Sequence, residues 1–205
     1  MIEKIDNSKK IILDLCGGTG AWSKDYKDNG YTVYNITLPH YDLLDENVVR
    51  FCINLNPYGI LFAVECTPWA NSGACWFDKR NPREIFYYSK LLVKGLRIIM
   101  ETNPEFWCIE NPVGKMREFL GNPLMSFHPF EYGDPYTKKT LLWGKFNIPQ
   151  KCPCIPLPNI GRTGDASPKR RFPSQMHLLP LSANRKTLRG ITPPGFAKAF
   201  YGVNK

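Results

Sequence analysis

No apolar run in this chain is long enough to cross a bilayer. The longest, residues 59–64 and 91–100, are too short or too interrupted for the roughly 20 residues a span requires. The first ten residues, MIEKIDNSKK, lack the apolar stretch of a secretory signal, so a cytoplasmic location is expected, with thiols kept reduced. Seven cysteines form an odd set without a C-x-x-C pair, which argues against a disulfide framework and against a common zinc site. Cys152 and Cys154, in KCPC, are the one close pair. The three histidines, His40, His128 and His177, are scattered without metal spacing, and no metal is expected. No internal repeat is present. The glycine-rich turn near the N-terminus is not followed by Gly-Lys-Ser/Thr, which disfavours nucleoside triphosphate hydrolysis.

Acidic residues are missing from one stretch in particular. From Lys138 to Arg189 there are eleven basic residues and a single acid, Asp165, whereas the whole chain of 205 residues has a net charge of +9. The remainder is therefore nearly neutral. Such a lopsided segment suits a surface facing a polyanion, because phosphate contacts supply most non-specific nucleic-acid affinity. A merely solvated basic face is the alternative. With 43% hydrophobic and 22% charged residues, the chain has the composition of one globular domain.

Residues 10–15 (KIILDL) read as a strand that ends in a glycine turn, and residues 21–29 read as the helix after it. Residues 31–38 (YTVYNITL) and 59–65 (GILFAVE) are the second and third strands, 83–102 a helix, and 106–109 a fourth strand. Residues 115–120 suggest a short helix, 140–143 a strand, and 196–201 a closing helix. Strands alternating with helices imply an α/β fold built on a doubly wound, mostly parallel sheet. Seven prolines within residues 149–180 exclude a long helix or central strand there. The expected organisation is a core over residues 1–150, a short basic Pro-rich insertion over 151–189, and a C-terminal segment over 190–205 that returns to the core.

Three groups of residues invite chemistry. In the turn Asp14-Leu15-Cys16-Gly17-Gly18-Thr19-Gly20, absent side chains let a ligand approach the backbone; tight packing alone also produces such turns. Cys66 follows a strand expected to be central, where open α/β sheets place their ligands. Glu110, with Asn111 and Pro112, closes the next expected strand, so its carboxyl group and the Cys66 thiol would share one edge of the sheet. A thiolate beside a carboxyl group suits covalent attack on a heterocycle.

DLCGGTG, a cysteine ending one strand and ENP ending another resemble the DNA (cytosine-5)-methyltransferases, with their D-x-F-x-G-x-G, P-C and E-N-V motifs. Residues 132–140 (YGDPYTKKT) are similar to the family's G-x-P-Q-x-R-x-R segment, and 192–200 (TPPGFAKAF) to the segment that returns over the cofactor. The order of these segments is closest in kind to short methylase-like proteins of bacteriophages. The resemblance implies S-adenosylmethionine as donor, Cys66 as nucleophile toward C6 of cytosine, and Glu110, with Asn111 beside it, engaging the base. It implies that Asp14, Leu15, Cys16, Gly17, Gly18, Gly20, Asp42 and Thr192 hold the donor. Lys138, Lys139, Lys169, Arg170 and Arg171 would contact DNA, with the target base unstacked.

The chain departs from the pattern at several positions. Thr37 stands where an acid usually ends the second strand, Glu65 where a proline precedes the cysteine, Tyr136 where the segment has glutamine, and Thr140 where it has its second arginine. The short insertion implies slight sequence specificity or a partner protein that supplies it. A free cytosine nucleotide or an RNA base as substrate, and a nucleic-acid-binding protein without activity, remain the other readings.

Overall fold

The computed structural model describes residues 6–70, 79, 81–155 and 185–205. In chain order the elements are β1 (Ile11–Leu15), α1 (Lys24–Asp28), β2 (Thr32–Ile36), α2 (Glu46–Asn54), β3 (Gly59–Ala63), α3 (Pro82–Thr102), β4 (Phe106–Pro112), α4 (Met116–Leu120), β5 (Met125–Phe127), a 3-10 turn (Pro129–Tyr132), β6 (Thr140–Lys145), α5 (Arg185–Gly190) and α6 (Pro194–Val203).

The strands form one sheet in the order β2-β1-β3-β4-β6-β5. The first four are parallel, whereas β6 runs antiparallel to both β4 and β5, so the sheet is mixed. The chain moves one way from β1 to β2 and the other way to β3. The strand order therefore reverses between β1 and β3, and the carboxyl ends of strands at such a reversal are where open α/β sheets bind ligands.

Side-chain alternation divides the core between the two faces. Leu13, Ile60, Phe62, Ile109 and Trp143 point toward α2 and α3. Ile12, Leu61, Cys108 and Leu142 point toward α1 and α6, where Trp22, Phe196 and Phe200 fill the layer. Helix α3 comes close to the sheet because it carries Gly95; a Cβ there would lie 2.0 Å from the Phe62 ring. Helix α6 is fixed from two sides, by Phe196 stacked on Phe127 at 3.9 Å and by the Asn204 carbonyl accepting the Tyr26 hydroxyl at 2.9 Å.

Several elements differ from the sequence expectation. The helix after the glycine turn begins at Lys24 rather than at residue 21, because the Ser23 hydroxyl is drawn back to Asp14 and the Gly20 carbonyl. Strand β4 does not stop at residue 109. It runs through Glu110-Asn111-Pro112, which pair with Leu142, Leu141 and Thr140 of β6. Helix α2, capped by Asp45 and anchored by Val49 and Cys52, and the three-residue β5 were not anticipated. Most of the basic insertion, including Lys169, Arg170 and Arg171, lies outside the described residues.

Candidate active site

The turn after β1 is built from three left-handed residues, Cys16 at φ 57°, Gly18 at 55° and Gly20 at 72°. Glycine adopts this conformation without strain, whereas Cys16 must be held in it by its surroundings. Three bonds do so: the Cys16 amide donates to the Ile36 carbonyl at 2.8 Å, the Asn35 side chain donates to the Gly18 carbonyl at 3.0 Å, and the Gly20 amide donates to the Gly17 carbonyl at 2.9 Å. Strand β2 thereby clamps the turn.

Asp14 lies beneath this turn, fully buried, and its Oδ2 accepts the Ser23 hydroxyl at 2.6 Å. A Cβ at Gly17 would sit 2.3 Å from Asp14 Oδ1, so the turn can close over the carboxyl group only with glycine at that position. Asp14 Oδ1 has no hydrogen-bond partner. Burial raises this carboxyl group from 3.8 to about 6, against the opposing pull of Ser23. A cradle closed by glycine around an unsatisfied buried oxygen fits a polar ligand. Asp42 is exposed, with Oδ1 accepting the Leu44 amide at 2.9 Å, and its charge acts on both Cys16 and Tyr87. Leu15 is wholly buried in the core, so only its backbone is available to a ligand. Thr192 is partly exposed between α5 and α6.

Cys66 lies three residues beyond the end of β3, and its carbonyl accepts the Trp69 and Ala70 amides at 3.0 and 2.9 Å. That turn is pressed against the end of β4. Lys115 donates its amide to the Trp69 carbonyl at 2.7 Å, and a Cβ on Gly114 would fall 1.8 Å from the same oxygen. Asn111 is the second tie: fully buried, it donates Nδ2 to the Val64 carbonyl at 2.9 Å, while its Oδ1 has no partner. These contacts fix the cysteine turn to the strand that carries Glu110. Asn111 consequently braces the site from behind.

Glu110 pairs in register with Ala63 on one side and Leu142 on the other, and it is partly open to solvent. Burial raises the Cys66 thiol, and the charges of Glu110 and then Glu65 raise it further, whereas Lys138 lowers it. Burial raises Glu110 as well, and Lys138 again opposes the shift. Lys138, just ahead of β6, thus acts on both groups, and its Nζ donates to the Arg189 carbonyl of α5 at 3.0 Å. Lys139 is exposed. The fold brings a thiol, a carboxyl group and an amine from three separate segments to the carboxyl edge of β3 and β4.

The segments 132–140 and 192–200 also meet. The Gly195 amide donates to Asp134 at 2.9 Å, and a Cβ on Gly195 would lie 1.9 Å from the Tyr132 carbonyl oxygen. Three contributors were not anticipated from sequence. Ser23 and Asn35 hold the turn, and Tyr87 of α3 lies within electrostatic reach of Asp42, Cys16 and Glu65. An asparagine within the otherwise apolar and β-branched YTVYNITL was the one available hint. A cavity of about 310 Å³ among Leu96, Trp107, Leu120 and Trp143 lies on the α3 face and has no titratable lining residue, so it offers no comparable chemistry.

No protein-family model matches the chain, and no curated protein does. Among solved structures it is similar to a candidate DNA modification methyltransferase encoded within an E. coli prophage, with 16% identity, a TM-score of 0.46, and 68% of this chain and 49% of that one covered. It is similar to the Entamoeba histolytica methyltransferase EhMeth at 13% identity and a TM-score of 0.47, covering 74% and 57% of the two chains. For the S. pombe Dnmt2 methyltransferase the identity is 12%, the TM-score 0.43, and the coverage 68% and 50%. The chain thus spans about half the length of these structures.

Proposed function

We propose that this chain methylates C5 of cytosine in DNA, through a transient bond between Cys66 and C6 of the base. The observation that carries the reading is the convergence of Cys66, Glu110 and Lys138 beside a glycine turn that covers an unsatisfied buried carboxyl oxygen. Asp14, Cys16, Gly17, Gly18, Gly20, Asp42, Thr192 and the Leu15 backbone would hold S-adenosylmethionine, which supplies an electrophilic methyl group when bound. Residues 1–150 would form the catalytic core, 151–189 the DNA-facing insertion, and 190–205 the returning segment.

The side chains divide the work by their charge states. Burial raises Glu110 and so favours its protonated form, from which it would donate a proton to N3 of the ring. The proton on N3 withdraws electrons from C6, and until it is given up the neutral acid places no negative charge beside the sulfur. Cys66, as the thiolate, adds to C6, and the displaced electron pair makes C5 nucleophilic. After C5 has taken the methyl group, loss of its proton to solvent expels the thiolate and restores the ring, and the N3 proton returns to Glu110. Lys138 supports the thiolate and, with Lys139, Lys169, Arg170 and Arg171, would meet the phosphates of DNA.

Incubation with labelled S-adenosylmethionine and a panel of duplex DNA, single-stranded DNA, RNA and dCMP tests the reading. DNA is expected to be labelled at cytosine C5. Labelling of dCMP or RNA alone would overturn the substrate assignment. Cys66→Ser is expected to abolish transfer and leave donor affinity within about twofold, since the thiol is assigned to the base; surviving activity would remove Cys66 from its role.

A further inference from the structure

Helix α3 is apolar on two sides. Leu91, Leu92, Gly95, Ile98 and Ile99 are buried in the fold, whereas Phe86, Val93 and Met100 are 61%, 60% and 80% exposed on the outward side. These three recur every seven residues, the spacing at which an apolar row runs nearly straight along a helix and meets a second helix laid beside it. Leu96, one turn from both Val93 and Met100, carries the row sideways into the cavity of about 310 Å³ where Trp107, Leu120, Leu124 and Trp143 meet. A continuous apolar row leading into an open apolar hollow marks a contact surface, as scattered single residues would not. The other flank of the row is basic. Arg83, Lys90 and Arg97 keep the same seven-residue interval, each one turn from the row, with Lys94 beside them. Glu46 of α2 accepts from Lys94 and Arg97, and Glu101 accepts from Arg97 Nε at 2.6 Å. Arg83 and Lys90 are exposed and pair with no carboxylate among the described residues; Lys90 Nζ lies over the Phe86 ring at 4.4 Å. Glu84 falls on the opposite side of the helix from Val93.

We propose that the outward face of α3 docks an amphipathic helix of a partner protein, apolar along one stripe and acidic along its edge. The seven-residue period of the row matches a helix and not a strand, whose side chains repeat every second residue. One apolar side chain of that helix enters the hollow beside Leu96 and covers the two tryptophans, and a buried central anchor of this kind supplies most of the affinity of such a contact. The uncompensated cations decide the edge: Arg83 and Lys90 pair with carboxylates of the partner. A second copy of α3 brings the same excess of cations to the contact, and the chain's own insertion, with Lys169, Arg170 and Arg171, carries the wrong sign. A lipid surface would meet the exposed row and the cations but, being flat, would leave the hollow unfilled.

Fluorescence anisotropy of the full chain with two labelled helical peptides tests this. Both carry leucine at the heptad apolar positions; one has glutamate and the other lysine at the flanking positions. The glutamate peptide is expected to bind, and the lysine peptide to bind about tenfold or more weakly. Val93→Glu and Met100→Glu, both at exposed positions that the fold tolerates, are each expected to weaken the glutamate peptide about tenfold or more. Lys90→Glu narrows the difference between the two peptides. The indole N–H resonances of Trp107 and Trp143 shift when the glutamate peptide binds. Absence of binding, equal affinity for the two peptides, or affinity unchanged by Val93→Glu would overturn the proposal. A chain that sediments as a dimer and becomes monomeric in Met100→Glu would overturn it in favour of a second copy. Binding to phosphatidylserine vesicles that Met100→Glu abolishes, without peptide binding, would overturn it in favour of a membrane.

Discussion

Replacing Asp14 by Asn should stabilise the protein, and by an amount that depends on pH. Asp14 is fully buried, its Oδ2 accepts the Ser23 hydroxyl, and its Oδ1 has no partner. The folded protein holds the Asp14 proton more tightly than the unfolded chain does, about 6 against 3.8. Below 3.8 the group is neutral in both states and costs nothing. As the pH rises the unfolded chain ionises first, the folded state loses ground, and the loss is complete above about 6. At about 1.4 kcal/mol per pH unit, the interval from 3.8 to about 6 corresponds to ~3 kcal/mol at pH 8 and roughly half of that at pH 5. Asn is close to isosteric, keeps an acceptor for Ser23 and never ionises. Urea denaturation at pH 4, 5 and 8 should therefore show a stability difference in favour of Asp14→Asn that grows with pH, together with weaker S-adenosylmethionine binding. Stability gained where function is lost is a signature of a binding residue. A difference that does not vary with pH, or a variant less stable at pH 8, would refute the reasoning.

Two further substitutions probe the same edge of the sheet. Gly114→Ala sets a methyl group 1.8 Å from the Trp69 carbonyl oxygen, a backbone atom that the Lys115 amide already holds, so one segment must move. A loss of about 1–3 kcal/mol in urea denaturation is expected, with methyl transfer falling further because the shifted turn carries Cys66; unchanged stability would contradict the close approach. Lys138→Met removes the cation that opposes both Glu110 and Glu65 at the sulfur. The midpoint of Cys66 alkylation against pH should move upward, and an unmoved or lowered midpoint would show that the amine does not act on the thiol.

Local patterning was sufficient for β1 to β3 and for α3, because each is written in consecutive residues. Alternation and β-branching mark a strand, recurring apolar positions mark a helix, and proline denies both. The same residues could not disclose that β4 continues through Glu110-Asn111-Pro112, since that extension exists only because β6 pairs alongside it. Nor could they disclose that Trp22 and Trp69, at 1% and 0% exposure, belong to the core through packing against distant aromatics such as Phe200 and Phe119.

Chemistry divided along the same line. The glycine turn, Cys66 and Glu110 stood out as single residues of the right type beside strand ends, and the sequence alone determined that much. Long-range contacts decided that Lys138 acts on both Cys66 and Glu110, that Ser23 and Asn35 hold the turn over Asp14, and that Glu65 influences two thiols 50 positions apart in the chain. The physical reason is that charge and hydrogen bonding act over a few ångströms of space. Which side chains come that near depends on strand order and register, and both are set by pairing between segments far apart in the chain.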